Sequence, residues 1–104
     1  MKPTTFKAIQ TFKVMDCSTS HVTDEEINDL LERDDCPVPN FPYEYGNFVY
    51  VTNEQNPDDE RAIRDFGFSE SFIKLLRIAR ENGCRYIALD CDGLVYEDLQ
   101  TYDW

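Results

Sequence analysis

Basic residues are scarce in this 104-residue chain: 10 Lys and Arg stand against 21 Asp and Glu, for a formal net charge of −11. A chain so short of positive charge repels phosphate, which disfavours the ordinary basic-patch mode of binding DNA or RNA directly. Histidine is scarcer still, a single His21, and the four cysteines Cys17, Cys36, Cys84 and Cys91 show no C-x-x-C spacing. That excludes the usual structural zinc frameworks, and no residue set predicts a metal or a cofactor. Long apolar runs are missing as well. Nothing approaches the length of a membrane span, and the opening MKPTTFKAIQTF lacks the continuous apolar core of a signal peptide. The expectation is a cytoplasmic protein whose four thiols stay reduced. With four glycines and no repeat or low-complexity segment, nothing marks a linker, so residues 1–104 read as one domain.

What is present is patterned. Phe6, Ala8, Phe12 and Val14 share one parity between Thr5 and Met15, with Lys7 and Lys13 on the other, which predicts a half-buried strand. Thr23 and Glu26 have the spacing of a capping box, flanked by Val22 and Ile27 as a hydrophobic staple. A short helix from Asp24 to about Arg33 follows, with Ile27, Leu30 and Leu31 as its apolar stripe. Residues 34–42 hold three of the five prolines and read as an extended connector without regular structure. Asn47 to Thr52 predicts a second strand, with Gly46 marking a bulge or a tight entry before it. Asn56-Pro57-Asp58-Asp59 starts a second helix ending at Gly67.

The strongest local signals lie further on. Ser69 caps a third helix, Glu70 to about Asn82, whose Phe72, Leu75, Leu76 and Ala79 repeat at helical spacing before Gly83 ends it. Tyr86 to Cys91 and Leu94 to Glu97 then read as a hairpin around Asp92-Gly93, a pair suited to a type I′ turn. The expected fold is α+β: about three helices on a small, four-stranded, mainly antiparallel sheet, in the order β-α-β-α-α-β-β.

Charge is divided unevenly, since residues 1–60 carry 13 of the acids and only 4 of the bases. Glu25, Asp29 and Glu32 fall at i, i+4 and i+7 on the first helix, and Asp34 and Asp35 extend the row. Helical rise spaces such carboxylates by roughly 5–6 Å, close to the phosphate spacing of a nucleic-acid strand. Asp58 and Asp59 add charge at the start of the second helix. Tyr43 and Tyr45, with Phe48 and Tyr50, form an aromatic cluster beside the proline-rich connector, a composition that interfaces use. The same residue types also serve as a solvated helix face and as sheet core.

Two constellations invite chemistry. Asp90-Cys91-Asp92-Gly93 resembles the D-x-D-G signature of haloacid-dehalogenase-type phosphotransferases, but only 11 residues follow Gly93, too few for the α/β domain that supplies the rest of such a site. His21, near Cys17, Ser18, Ser20 and Asp24, is a candidate base, and a small hydrolase or nuclease would combine it with Asp90 and Asp92. A structural or regulatory subunit docking through Tyr43, Tyr45 and Trp104 is a third possibility.

STSHVT after the first strand, YEYGNFVYV in the middle, GFSESFIKLLRIARENGCRYIALDCDG and the closing DLQTYDW together resemble a small domain-of-unknown-function family encoded on bacterial plasmids, integrative elements and prophages. The resemblance spans nearly the whole chain. It carries over no reaction and no catalytic residue, and it implies a protein acting on host machinery, such as a counter-defence factor against restriction or CRISPR systems. Together the readings favour a non-enzymatic binding module: Glu25, Asp29, Glu32, Asp34, Asp35, Asp58 and Asp59, with Tyr43 and Tyr45, facing a basic surface of a host nucleic-acid-binding protein.

Overall fold

A computed structural model describes residues 9–32, 34–52 and 56–103. Strand β1 (Lys13–Ser18) runs through a 3-10 turn (Thr19–His21) into α1 (Asp24–Glu32). Strands β2 (Asn40–Tyr43) and β3 (Gly46–Tyr50) follow as a hairpin, then α2 (Pro57–Phe66), α3 (Glu70–Glu81) and β4 (Cys84–Asp90). The sheet order is β1-β4-β3-β2; β4 pairs parallel with β1 and antiparallel with β3, and β3 pairs antiparallel with β2. The fold is the expected α+β arrangement of three helices and four strands, with its hairpin in a different place.

The local signals act where the sequence puts them. Thr23 N donates to Glu26 Oε1 at 2.9 Å while Glu26 N donates to Thr23 Oγ1 at 3.1 Å, a closed capping box. Asn56 caps α2 through Asp58 N with Pro57 in the first turn, and Ser69 caps α3 through Phe72 N. Both helices stop ahead of glycines with positive φ, Gly67 (+123°) and Gly83 (+74°). Helix α3 packs on β4 and on α2, so it buries more than one stripe: Phe72, Ile73, Leu75, Leu76 and Ala79 are all in the core. Opposite them the sheet contributes Met15, Cys17, Val49, Ile87 and Leu89.

Four expectations are corrected. The hairpin predicted over 86–97 does not form. Asp90 ends β4, its Oδ1 accepts from Asp92 N at 2.8 Å, and Leu94 O then accepts from Ser18 N at 2.8 Å, which turns the chain onto the end of β1. Gly93 is needed there because a Cβ would sit 2.4 Å from Cys17 O, a demand of packing and not of a type I′ turn. The connector at 34–42 does contain a strand, β2, which tolerates Pro42 because it lies at the sheet edge. The order of elements is therefore β-α-β-β-α-α-β. Finally, β1 turns its other face inward: Met15 and Cys17 are buried while Phe12 and Val14 are exposed. The earlier part of that strand, with Phe6, Lys7 and Ala8, lies outside the described residues, as do Arg33 and Trp104.

All three helices contribute to one core on one face of the sheet. The opposite face is uncovered among the described residues and is aromatic, with Phe12, Phe41 and Phe48 exposed beside Tyr86. The segment after β4 straps the end where β1 enters α1. Tyr96 N donates to His21 Nε2 (2.9 Å), His21 Nδ1 donates to Gln100 O (2.8 Å), and Tyr102 N donates to Ser20 O (2.8 Å). Donation from Tyr96 N fixes Nε2 as acceptor and so puts the imidazole proton on Nδ1.

Candidate functional site

Glu25, Glu32 and Asp34 are exposed and Asp29 is half-buried. Among the described residues none of these four enters an ion pair, whereas acids of the neighbouring helices are taken up by arginines. Glu60 accepts from Arg77 Nε at 2.8 Å and from its Nη2 at 2.5 Å, with Arg80 at 3.8 Å. The hydrogen bonds from Arg77 hold the Glu60 carboxyl below the usual glutamate range, overcoming the opposing effect of burial. Arg64 holds Glu70 in the same way. Asp35 is exposed and engaged elsewhere in the fold. Asp58 meets Arg61 at 3.8 Å with both side chains largely in water, a contact of little energetic consequence.

Asp59 belongs to a groove of about 210 Å³ that it shares with Pro37, Val38 and Pro39, the residues just after Asp34 and Asp35. The groove lies between the 37–39 segment and α2, with Asp59 and Glu60 as its acids and Arg80 as its base, and the acids of α1 do not line it. Its floor is apolar, from Val38, Ile63, Ile73 and Leu76.

The tyrosines go elsewhere. Tyr43 ends β2 on the parity of Phe41, stacks against Phe48 at 4.9 Å between centroids, and donates its hydroxyl to Asp90 Oδ2 at 2.7 Å. Burial first, and then this carboxylate, push the phenol up to about 12. Tyr45 is exposed at the tip of the β2–β3 hairpin. The nine predicted contact residues thus divide between the helix layer, which holds the acids, and the hairpin, which holds the tyrosines.

Asp90, Cys91 and Asp92 bring their ligand atoms within 4.8 Å of one another. Both Asp90 oxygens already accept hydrogen bonds, from Asp92 N and from Tyr43, and these two contacts hold its carboxyl below the usual aspartate range. The cluster is therefore a turn tied by its own side chain. His21 is 1% exposed, with both ring nitrogens committed to main-chain groups, so it pins the strap and offers no free nitrogen to a substrate.

Cys17 is fully buried, and burial, with Asp16 nearby, pushes its thiol up to about 12. Cys91 is exposed, and Cys36 and Cys84 are intermediate. Alkylation of the folded protein with iodoacetamide should therefore mark Cys91 first and Cys17 only on unfolding, as mass spectrometry of timed samples would read. Early labelling of Cys17 would contradict the packing of β1 described above.

Sequence reasoning missed two groups. One is the rear face of the sheet, whose signal was hidden because β1 and the residue before it carry apolar side chains at both parities, Phe12 and Val14 against Met15 and Cys17. The other is the reach of Glu26: beyond its own helix it accepts from Ser69 N (2.9 Å) and Ser69 Oγ (3.0 Å).

These features define a two-layer α+β domain with helices on one side of a four-stranded sheet and, on the other, an aromatic face that is uncovered among the described residues. More particularly, residues 14–104 match the model of the family of unknown function (DUF5983) C-terminal domain, and the chain belongs to that family. No curated protein and no solved structure matches it. Among the described residues no helix is long and apolar enough to cross a membrane.

Proposed function

We propose that this chain is a protein-binding module whose acidic helix layer occupies a basic surface on a nucleic-acid-binding protein of a bacterial host, as a nucleic-acid mimic. The observation that carries it is the contrast among the acids: Glu60 and Glu70 are neutralised by arginines, while Glu25, Asp29, Glu32 and Asp34 stand without a cation among the described residues. Uncompensated carboxylates along one helix raise a negative potential that complements a groove lined with Lys and Arg. The fitting partner is a DNA-binding component of a restriction or CRISPR system, as the resemblance to mobile-element proteins implies, and the role is stoichiometric inhibition without catalysis.

A competition assay tests it. The protein should displace double-stranded DNA from such an effector at low salt, and raising the salt should weaken its binding steeply. Combined Glu25→Lys and Glu32→Lys changes, both at exposed positions, should weaken displacement about tenfold or more. Salt-independent binding to the effector, or full potency of the double variant, would overturn the proposal.

A further inference from the structure

Acids outnumber bases 21 to 10 in this chain, so a base without an acidic neighbour runs against composition. Three bases gather at the end of the sheet where α3 hands over to β4. Lys13, Arg80 and Arg85 line a cavity of about 520 Å³ with Thr11 and Thr52, and no acid is among the described residues that line it. Lys13 and Arg85 enter no ion pair among the described residues. Arg80 is ion-paired with Glu60 at 3.8 Å, but both Glu60 oxygens accept their hydrogen bonds from Arg77, so one carboxylate is shared between two guanidinium groups. The C-terminus of α3 adds about half a negative charge at this end, which Lys13 and Arg85 alone exceed.

Phe12 joins this cavity to the aromatic face of the sheet, which is uncovered among the described residues. It lines the basic cavity and also an apolar depression of about 290 Å³ formed with Val14, Phe41, Phe48 and Tyr86. Tyr86 sits in the middle of the rings, 5.5 Å from Phe12, 6.1 Å from Phe41 and 6.5 Å from Phe48 between centroids. The Arg85 guanidinium lies over Phe12, 4.8 Å from its centroid, which leaves the edge donors of the fork for an anion.

We propose that the basic cavity and the aromatic face together form a binding site for a nucleoside phosphate: the phosphate among Lys13, Arg80 and Arg85, the base against Phe12, Phe41 and Phe48. Three convergent cations match a phosphate, and adjacent exposed rings offer a base the π-surface on which bases stack. The ligand is a single nucleotide and not a strand. Asp16 shares the parity of Val14, and Asp90 that of Tyr86, so carboxylates stand at the far end of the same face. A strand laid over the rings would bring its next phosphates against them. This site lies apart from the acids of α1 and stands independently of the reading above.

Calorimetric titration of the full chain at low salt tests it, with AMP, inorganic phosphate, adenosine and oligothymidylate as probes. AMP should bind saturably, with inorganic phosphate and adenosine each about tenfold weaker or more. Lys13→Gln combined with Arg85→Gln should weaken AMP about tenfold. Phe41→Ser, at a residue 55% exposed, should leave the fold intact and bring AMP down to the affinity of phosphate. AMP heats that stay linear to about 10 mM, AMP no tighter than phosphate, or an unchanged Kd in either variant would overturn the site. Oligothymidylate binding more tightly than AMP would overturn the choice of a mononucleotide.

Discussion

Glu26→Ala is expected to lower the unfolding free energy by about 4 kcal/mol, the steepest loss available from a single polar side chain here. The residue is 3% exposed and its carboxylate accepts three hydrogen bonds, from Thr23 N, Ser69 N and Ser69 Oγ. No lysine or arginine pairs with it among the described residues. Its counter-charge is instead the N-termini of α1 and α3, each equivalent to about half a positive charge. Because Ser69 Oγ donates its one proton to Glu26, it must accept from Ser71 Oγ (2.9 Å), which in turn accepts from the Tyr102 hydroxyl (2.6 Å). One carboxylate thus orients a chain of hydroxyls that fastens the C-terminal strap to two helix starts. Removing it strands two part-buried N–H groups, leaves a cavity and unties the strap. For a domain whose whole stability is about 5–15 kcal/mol, that is a large fraction, and the melting temperature should fall by about 15 °C or more. Glu26→Gln keeps one acceptor oxygen and should lose about half as much, while Thr23→Ala, which removes one cap, should cost about 1 kcal/mol. Urea titrations of the three variants check the ranking. A Glu26→Ala loss no larger than that of Thr23→Ala would mean that the link to Ser69 carries no energy.

The same residue shows where sequence reading stops. Thr23-x-x-Glu26 announces a capping box because both partners lie within four positions. That Glu26 also caps α3 depends on a residue 43 positions away, which no local pattern encodes. Caps and stops of α2 and α3 were legible for the reason that they are local: Asn56-Pro57, Ser69, Gly67 and Gly83 act on their own backbones. Strand partners were not. Asp92-Gly93 carries the composition of a hairpin turn, yet pairing of β4 with β1 and β3 fills both edges of β4, so the residues after Gly93 find no free edge to join. Meanwhile Tyr43-Glu44-Tyr45-Gly46, which does turn a hairpin, has no positive-φ pair to announce it.

The candidate site divides along the same line. The acids of α1 were legible because helical spacing alone puts Glu25, Asp29 and Glu32 on one side. Three bases from three elements meeting at one cavity were not, because Lys13, Arg80 and Arg85 come together only through the parallel pairing of β1 with β4. A protein with a net charge of −11 is therefore polar in the vectorial sense: among the described residues, acids without an ion pair lie on α1 and beside the end of β4, and Lys13 and Arg85, bases without one, lie at the beginning of β4.

Gly46→Ala should cost about 3 kcal/mol, a second large effect that arises from backbone and not from a side-chain network. Gly46 begins β3 opposite Asp90, and a Cβ there would stand 1.8 Å from Leu89 O and 2.8 Å from its carbonyl carbon. A main-chain carbonyl in the middle of a sheet cannot swing aside as a flexible side chain would. The β2–β3 hairpin must lift from β4, which strains the hydrogen bond from Cys91 N to Tyr45 O (3.0 Å) and that from Tyr43 to Asp90. Gly67→Ala is the informative comparison. Its φ of +123° disfavours a side chain, yet nothing lies within 4 Å of the added Cβ, so only conformational strain of about 1 kcal/mol is expected. In matched denaturation curves Gly46→Ala should be the weaker protein by about 2 kcal/mol, and its Tyr43 phenol should titrate nearer the ordinary value once Asp90 no longer accepts its proton. The reverse ranking would show that β3 does not approach β4 this closely, and with it the hairpin would lose its place beside the Asp90 turn.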